Sequence, residues 1–191
     1  MSGLHVRPGI MDIAPYVGGE SDVAGAARII KLSSNESALG PSPAATGAYA
    51  DLGAKLHRYP DGDSRELRHA IAETFALDAA RIVCGAGSDE IISLICKAYA
   101  GPGDEVLYSA HGFLMYPISA RTVGATPVTA PERELTTDVD ALLAAVTEST
   151  RIVFVANPNN PTGTYISTAE MERLRAGLPD DVLLVIDAAY A

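Results

Sequence analysis

The chain has 191 residues, of which 48% are hydrophobic and 20% charged, and its formal net charge is −10. This length and balance predict a globular chain that forms one α/β domain, or most of a larger one, and buries a hydrophobic core. The negative charge argues against nucleic acid or an anionic membrane as the main partner. It does not argue against a phosphorylated substrate, since one or two local arginines are enough to bind one.

The cysteines and histidines show no metal or disulfide pattern. Cys84 and Cys96 lie in apolar surroundings without C-x-x-C spacing, which predicts core thiols of a reducing compartment. The four histidines have no ligand spacing, so we predict no metal site. A secretory signal pattern and a membrane-length apolar run are both missing from the sequence. We therefore expect a soluble, cytoplasmic protein.

The first part of the chain, residues 1–44, is interrupted by several prolines and glycines and predicts an extended N-terminal arm. Within it, only residues 27–32 resemble a short strand. Residues 45–191 are predicted to form the main domain.

A helix is predicted to begin after Asp63, with Glu66 at the spacing of a capping box. Leu67, Ile71 and Phe75 then recur at the spacing of one apolar helix face. This helix is expected to be structural.

The next unit is a predicted strand at 81–84, a glycine turn at 85–87 and a further helix. A helix start that follows a glycine turn presents free backbone N–H groups and the positive end of the helix dipole, which together favour a phosphate. The turn also serves simple strand–helix packing, so that alternative stays open. Glu90 replaces the third glycine of a dinucleotide fingerprint, and the G-K-[ST] of a Walker loop is missing.

Later elements alternate between strands and helices. Strands are predicted at 105–108, 127–129, 152–156 and 182–186. One helix is predicted at 138–146, with Thr137 and Asp140 at capping spacing. A second helix is predicted to begin after a cap formed by Ser167 and Glu170. The alternation predicts an α/β fold with a mostly parallel sheet, helices on both faces and right-handed crossovers.

Polar side chains follow two of these strands. Asn157, Asn159 and Asn160 come after the strand at 152–156, and Asp187 ends the strand at 182–186. Ligands bind beyond the carboxyl ends of parallel strands, so these side chains are candidates for one ligand site. An asparagine–proline loop whose amides satisfy their own backbone is the alternative for the first group.

Taken in order, four segments resemble the fold-type I aminotransferases that use pyridoxal phosphate (PLP). The segments are G-S-D-E at 87–90, H-G-F-L-M-Y at 111–116, N-P-N-N-P-T-G at 157–163 and D-A-A-Y at 187–190. The pieces I-A-P-Y at 13–16, L-S-S-N-E at 32–36 and L-G-P-S-P at 39–43 are similar to the N-terminal arm of the histidinol-phosphate aminotransferases within that family.

The resemblance implies a role for each matching residue. Asp187 would keep the pyridine nitrogen of PLP protonated, and Asn160 and Tyr190 would donate hydrogen bonds to the ring oxygen O3′, with Asp187 and Tyr190 as the catalytic pair. The backbone of Ser88 and Asp89 would bind the cofactor phosphate, and Phe113 would stack on the pyridine ring. Tyr59 would reach across the interface of a homodimer to the cofactor phosphate bound in the other subunit. Tyr16 and Asn35 would contact the substrate.

One departure from the family pattern concerns the lysine that forms the Schiff base. In the family this lysine lies downstream of the D-x-x-Y motif in an S-K context, and the lysines of this chain are Lys31, Lys55 and Lys97, none of which has that context. The sequence is therefore expected to be the N-terminal portion of an aminotransferase, without the Schiff-base region and the C-terminal small domain. As given, it is expected to be inactive.

The function implied for the whole enzyme is transamination between glutamate and imidazole acetol phosphate, which yields histidinol phosphate and 2-oxoglutarate in histidine biosynthesis. Alternatives within the family are an aromatic-amino-acid aminotransferase and a PLP-dependent decarboxylase. An alternative of another class is a non-catalytic fragment that binds a phosphate or nucleotide, or that only dimerises.

Overall fold

A computed structural model describes residues 5–16, 24–25, 30–31 and 33–191 of the chain. These residues divide into two compact units. The first comprises Met1–Ala14 and Gly85–Ala191, and the second comprises Pro15–Cys84. The predicted boundary at residue 44 between arm and domain stays a prediction, and the predicted strand at 27–32 lies largely outside the described residues.

In its described part, the second unit contains the α-helices α1 (Pro43–Leu52) and α2 (Arg65–Phe75). Ser42 caps α1 by accepting a hydrogen bond from the backbone N–H of Ala45. The Arg68 guanidinium of α2 donates to the Ala79 carbonyl at 2.7 Å and to the Asp63 carboxylate at 2.8 Å, which ties α2 to the short helical turn that follows it.

The cap expected at Asp63 for α2 was wrong. Its N-cap is Ser64 in a left-handed conformation, and it is Asp61 that accepts hydrogen bonds from the first-turn N–H and side chain of Arg65. The Asp63 carboxylate instead accepts a hydrogen bond from the Arg68 guanidinium. On its apolar face, Leu67 is 53% and Phe75 68% exposed.

The first unit is built on a four-stranded sheet with the order β2-β1-β5-β6. Its strands are β1 (Glu105–Ser109), β2 (Thr126–Ala130), β5 (Thr150–Ala156) and β6 (Leu183–Asp187), and every pair of neighbours is parallel. A separate antiparallel hairpin pairs β3 (Glu132–Arg133) with β4 (Thr136–Thr137). The prediction of an α/β fold with a parallel sheet is confirmed.

Four helices cover the two faces of this sheet: α3 (Gly87–Tyr99), α4 (Met115–Val123), α5 (Val139–Ala145) and α6 (Thr168–Gly177). Side chains of a strand alternate between the faces, and β5 divides its apolar residues accordingly. Ile152 and Phe154 pack with α3 and α4, whereas Val153 and Val155 pack with α5 and α6. The continuous apolar run of β5 therefore reflects burial on both sides.

Helix capping agrees with the sequence at α6 and differs at α5. Ser167 accepts a hydrogen bond from the backbone N–H of Glu170, as predicted. At α5 the cap is Asp138, whose carboxylate accepts from the N–H groups of Asp140 and Ala141, so the expectation of a cap at Thr137 was wrong.

Replacement of the α6 cap is expected to destabilise the protein measurably. Ser167→Ala leaves the N–H of Glu170 without its side-chain acceptor, and a lost cap costs about 1 kcal/mol of the free energy of unfolding. Ser167→Gly, which leaves the helix start open to water, is expected to lower the free energy of unfolding by only about 0.3 kcal/mol. Urea denaturation of both variants measures the difference, and equal stabilities for Ala and wild type would contradict the cap.

The predicted strand at 81–84 is not formed. Ala79–Arg81 make a 3-10 turn capped by Asp78, and the chain runs from there to α3 without pairing to the described strands. Among the residues that the structure describes, each helix is too short or too polar to cross a membrane.

Candidate functional site at the carboxyl edge of the sheet

The carboxyl ends of β5 and β6 lie side by side. Ala156 is paired with Asp187 in the sheet, and the backbone N–H of Asn157 donates to the Asp187 carbonyl at 2.9 Å. The asparagine-rich loop that begins at Asn157 and the carboxylate of Asp187 therefore share one edge, as the sequence predicted from the parallel strands.

The Asp187 carboxylate is half-buried and held at both oxygens. The hydroxyl of Tyr116 donates to Oδ2 at 2.9 Å, and the backbone N–H of Ala189 donates to Oδ1 at 3.2 Å. A carboxylate oxygen accepts more than one hydrogen bond, so both oxygens keep capacity for a ligand. The contact with Tyr116 joins α4 to the end of β6 and was not predicted from the sequence.

The asparagines beyond β5 have different environments. Asn157 makes two 3.0 Å hydrogen bonds to the backbone of Ile166, so its amide is structural. Asn159 is buried and donates to the His111 carbonyl and to the Thr162 hydroxyl, while its Oδ1 is buried without a hydrogen-bond partner in the described part of the chain. The half-buried side-chain amide of Asn160 has no partner among the described residues, which leaves it available to a ligand.

The first turn of α3 lies at the same edge. A helix that leads through a tight turn directly into a parallel strand runs antiparallel to it, and α3 joins β1 through the turn at 101–104. The start of α3 is therefore on the side where β1 ends. Lys97, in the last turn of α3, lies at the opposite edge.

Within that first turn, two backbone N–H groups are available. The N–H of Ala86 is taken by the Glu90 carboxylate at 2.6 Å and that of Gly87 by the Gly85 carbonyl. The N–H groups of Ser88 and Asp89 have no acceptor among the described residues, as is normal for an uncapped helix start. Both residues are exposed, so an anion could bind them directly.

Gly85 permits this arrangement for a steric reason. A Cβ at this position would come within 2.9 Å of the Ile91 side chain and 3.1 Å of the Glu90 carboxylate. Gly87 adopts a φ of +74°, which is strained for other residues. The turn therefore depends on both glycines.

Phe113 and His111 lie on the loop between β1 and α4. Phe113 is partly buried, with its ring edge-on to Tyr116 at a centroid distance of 5.9 Å. His111 is bound by Glu132 of the hairpin, whose carboxylate accepts from the backbone N–H at 2.9 Å and contacts Nδ1 at 2.7 Å. Because the His111 carbonyl also accepts from Asn159, this histidine links the hairpin to the asparagine loop.

The Glu132 contact should contribute stability above mildly acidic pH. Burial raises the pKa of Glu132, but hydrogen bonds from His111 and Ser109 together outweigh burial, so the pKa lies below its usual 4.5. A lowered pKa in the folded state means that the contribution is complete at neutral pH and is lost as the pH falls through that lowered pKa. Glu132→Gln is therefore expected to lower the free energy of unfolding by about 1 kcal/mol at pH 7. The difference between this variant and the wild type should become smaller as the pH is lowered.

Glu134→Gln is a suitable control because Glu134 is exposed in the same hairpin. Urea denaturation at several pH values compares the two variants with the wild type. Equal unfolding free energies of Glu132→Gln and wild type at neutral pH would contradict a structural role for the carboxylate.

The other residues assigned by resemblance lie at exposed positions. Tyr190 follows Asp187 in the terminal turn and is 49% exposed. Tyr16 is 58% exposed and Tyr59 fully exposed, and both belong to the second unit together with Asn35. The roles of these four residues stay predictions.

A cavity of about 660 Å³ lies elsewhere, along the free flank of β6. Its lining includes Arg151, Met171, Arg175 and Leu184 but none of the predicted site residues. The cavity with this volume and the polar groups that converge at the strand ends therefore lie at different places.

This fold is that of a known family. Residues 27–191 match the family model described as aminotransferase class I and II, and the chain belongs to that family. The curated relatives it matches are histidinol-phosphate aminotransferases. The relative from Paramagnetospirillum magneticum is 68% identical over 190 residues, which cover 100% of this chain and 52% of the relative. The one from Rhodospirillum centenum is 64% identical over 191 residues, with 100% and 53% covered.

The three-dimensional comparison agrees with the sequence relatives. The crystal structure of histidinol-phosphate aminotransferase from Sinorhizobium meliloti in complex with PLP superimposes with a TM-score of 0.76 at 29% identity, covering 80% of this chain and 42% of that chain. The resemblance stated from the sequence motifs is thus confirmed. The chain spans about half the length of the curated relatives it matches.

Proposed function

We propose that the full-length gene product is a PLP-dependent aminotransferase that interconverts imidazole acetol phosphate and histidinol phosphate, with glutamate and 2-oxoglutarate as the other pair. The observation that carries this proposal is the shared sheet edge on which the Asp187 carboxylate, the Asn160 amide and the start of α3 are placed. Whole-chain identity to histidinol-phosphate aminotransferases supports the choice of substrate.

The chemistry of these groups fits PLP. The unpaired N–H groups of Ser88 and Asp89 at the start of α3 suit a phosphate. The Glu90 carboxylate accepts a hydrogen bond from the backbone N–H of Ala86, which satisfies that backbone group from within the chain. An anionic side chain, Asp187, and a neutral amide, Asn160, supply different polar partners for the two sides of a pyridine ring.

PLP, when bound, supplies an electron sink that stabilises the carbanion formed when the substrate loses its α-proton. We assign Asp187 to hold a proton on the ring nitrogen, since a neighbouring carboxylate raises the pKa of a protonated ring nitrogen. The hydrogen bonds to both Asp187 oxygens keep that charge oriented before any ligand binds.

Three further side chains complete the proposed site. The neutral amide of Asn160 and the phenol of Tyr190 would donate hydrogen bonds to O3′ without adding charge. Phe113 would cover one face of the ring, where a flat apolar side chain orients the cofactor and excludes water. The contact of Phe113 with Tyr116 keeps its ring in place.

The remaining assignments concern the second unit and the assembly. We assign Tyr16 and Asn35 to substrate contacts, and Tyr59 to the cofactor phosphate of the partner in a homodimer. The full exposure of Tyr59 is consistent with such a role. We further propose that the N-terminal arm ends near residue 44 and that the enzyme is cytoplasmic. We also propose that it acts on neither nucleic acid nor membranes, in keeping with its negative charge.

The test is an assay of the purified full-length gene product with PLP. We expect reversible transamination of histidinol phosphate with 2-oxoglutarate, and much slower reaction with phenylalanine or tyrosine because these lack the phosphate. Coupled detection of glutamate measures the rate for each amino donor.

Turnover confined to aromatic amino acids would replace the proposed substrate by the aromatic aminotransferase alternative, and release of CO₂ would indicate a decarboxylase. A protein without PLP absorbance that instead binds a nucleotide tightly would overturn the enzyme assignment as a whole.

A further inference from the structure

The phenol of Tyr116 is the least expected polar group at the sheet edge. We propose that Tyr116 is a positioning residue that fixes the Asp187 carboxylate for the ring nitrogen of the cofactor. This inference rests on the proposed function, because it concerns how Asp187 is held for PLP.

Tyr116 cannot shift easily, because its ring is packed from three directions. It is 1% exposed and stacks parallel on Phe154, with centroids 4.6 Å apart and planes inclined by 4°. Phe113 and Tyr108 each meet the ring edge-on at 5.9 Å. A side chain enclosed in this way keeps its rotamer, so its hydroxyl stays at one place.

The hydroxyl keeps its proton under all ordinary conditions. Burial raises the pKa of Tyr116, and the negative charge of Asp187 and the hydrogen bond between them raise it further. Tyr116 therefore acts as a permanent donor to Oδ2, and hydrogen bonds to an ionised acceptor are stronger than those between neutral groups.

The geometry of Asp187 shows what that donor achieves. Its carboxylate is held at Oδ2 by Tyr116 and at Oδ1 by the N–H of Ala189, so rotation of the group would break one or both hydrogen bonds. The Ala189 contact is local, two residues along the chain, whereas the Tyr116 contact comes from a different element 71 residues away. Tyr116 thus connects the buried aromatic cluster to the one charge proposed to act on the cofactor.

The variant Tyr116→Phe removes only this donor and keeps the stacked ring. In the full-length holoenzyme we expect the dissociation constant of PLP to rise about 10-fold, the factor that corresponds to about 1.4 kcal/mol for a hydrogen bond to a charged group. Tyr108→Phe is the matched control, because Tyr108 is also buried and its hydroxyl makes no hydrogen bond to a described residue. Its dissociation constant should stay within about 2-fold of wild type.

A double-mutant cycle separates positioning from general packing. If Tyr116 acts through Asp187, Tyr116→Phe should change PLP affinity by less than about 2-fold in the Asp187→Asn background. A purely structural role would give the same loss in both backgrounds. Should Asp187→Asn bind PLP too weakly to measure, the cycle is closed with the carbocyclic analogue in which C–H replaces the ring nitrogen, whose affinity should be indifferent to Tyr116→Phe.

The outcomes are distinct from those that test the proposed function. A wild-type holoenzyme that does not bind PLP overturns the proposed function and this inference with it. The positioning role alone is overturned if the wild type binds PLP and Tyr116→Phe leaves the affinity for PLP unchanged. It is also overturned if Tyr116→Phe weakens binding of the analogue, and binding of PLP in the Asp187→Asn background, as much as it weakens binding of PLP to the wild type. Circular dichroism of each variant establishes that the comparison is made between folded proteins.

Discussion

Asp187→Asn in the full-length gene product is expected to lower kcat by about 10³-fold, comparable to removal of a preorganised electrostatic group from an active site. Asparagine has the same shape, and its amide oxygen still accepts from Tyr116 or from the N–H of Ala189. The fold should therefore survive while the negative charge beside the ring nitrogen is lost. Steady-state kinetics with saturating PLP, histidinol phosphate and 2-oxoglutarate measure the effect.

Asp181→Asn provides the matched control, because Asp181 is an exposed carboxylate just before the same strand. The kcat of this variant should stay close to wild type, since the Asp181 side chain pairs only with Arg151, at 3.6 Å, among the described residues. A kcat of Asp187→Asn within about 10-fold of wild type would contradict the assignment of Asp187 to the cofactor.

Phe154→Ala is expected to be the most destabilising of the substitutions considered, with a loss of about 3–5 kcal/mol in the free energy of unfolding. Phe154 is 1% exposed at the centre of β5, where it packs with α3 and α4 and stacks on Tyr116. The truncation leaves a cavity that the surrounding helices fill only in part. Urea denaturation followed by circular dichroism measures the loss.

Phe154→Leu keeps most of the apolar volume and should lose only about 1–1.5 kcal/mol. The ranking of the two variants separates the cost of the cavity from the loss of the aromatic stack. A loss below about 1 kcal/mol for Phe154→Ala would contradict the placement of Phe154 in the core.

The sheet could be predicted because its strands carry their own signal. β5 is an uninterrupted apolar run, and burial on both faces is what a central parallel strand requires. The expected strand at 81–84 shows the limit of this reasoning. Its residues have strand propensity, but a strand exists only if a neighbour pairs with it, and pairing depends on the rest of the fold.

Two of the predicted helix caps were wrong for a related reason. Asp63 and Thr137 had suitable chemistry and spacing, yet Asp61 and Asp138 accept the first-turn N–H groups instead. Several polar residues stood near each helix start, and small differences in backbone conformation decided which one accepts. Local sequence narrows the choice to a few residues but does not select one of them.

The candidate site divides in the same way. Asp187 and Asn160 could be placed at one edge because both follow parallel strands. The contact of Tyr116 with Asp187 could not be predicted, because a tyrosine among the apolar residues of a helix predicts core packing. The two residues are also 71 positions apart in the chain. The Glu132 contact with His111 also joins distant segments and left no local pattern.

The central claim is that this edge of the sheet binds PLP, and a crystal structure of the full-length gene product grown with PLP tests it most directly. We expect the ring nitrogen within hydrogen-bonding distance of Asp187 and the phosphate at the N–H groups of Ser88 and Asp89. Density for PLP at another place, with Asp187 facing only protein and solvent, would contradict the claim.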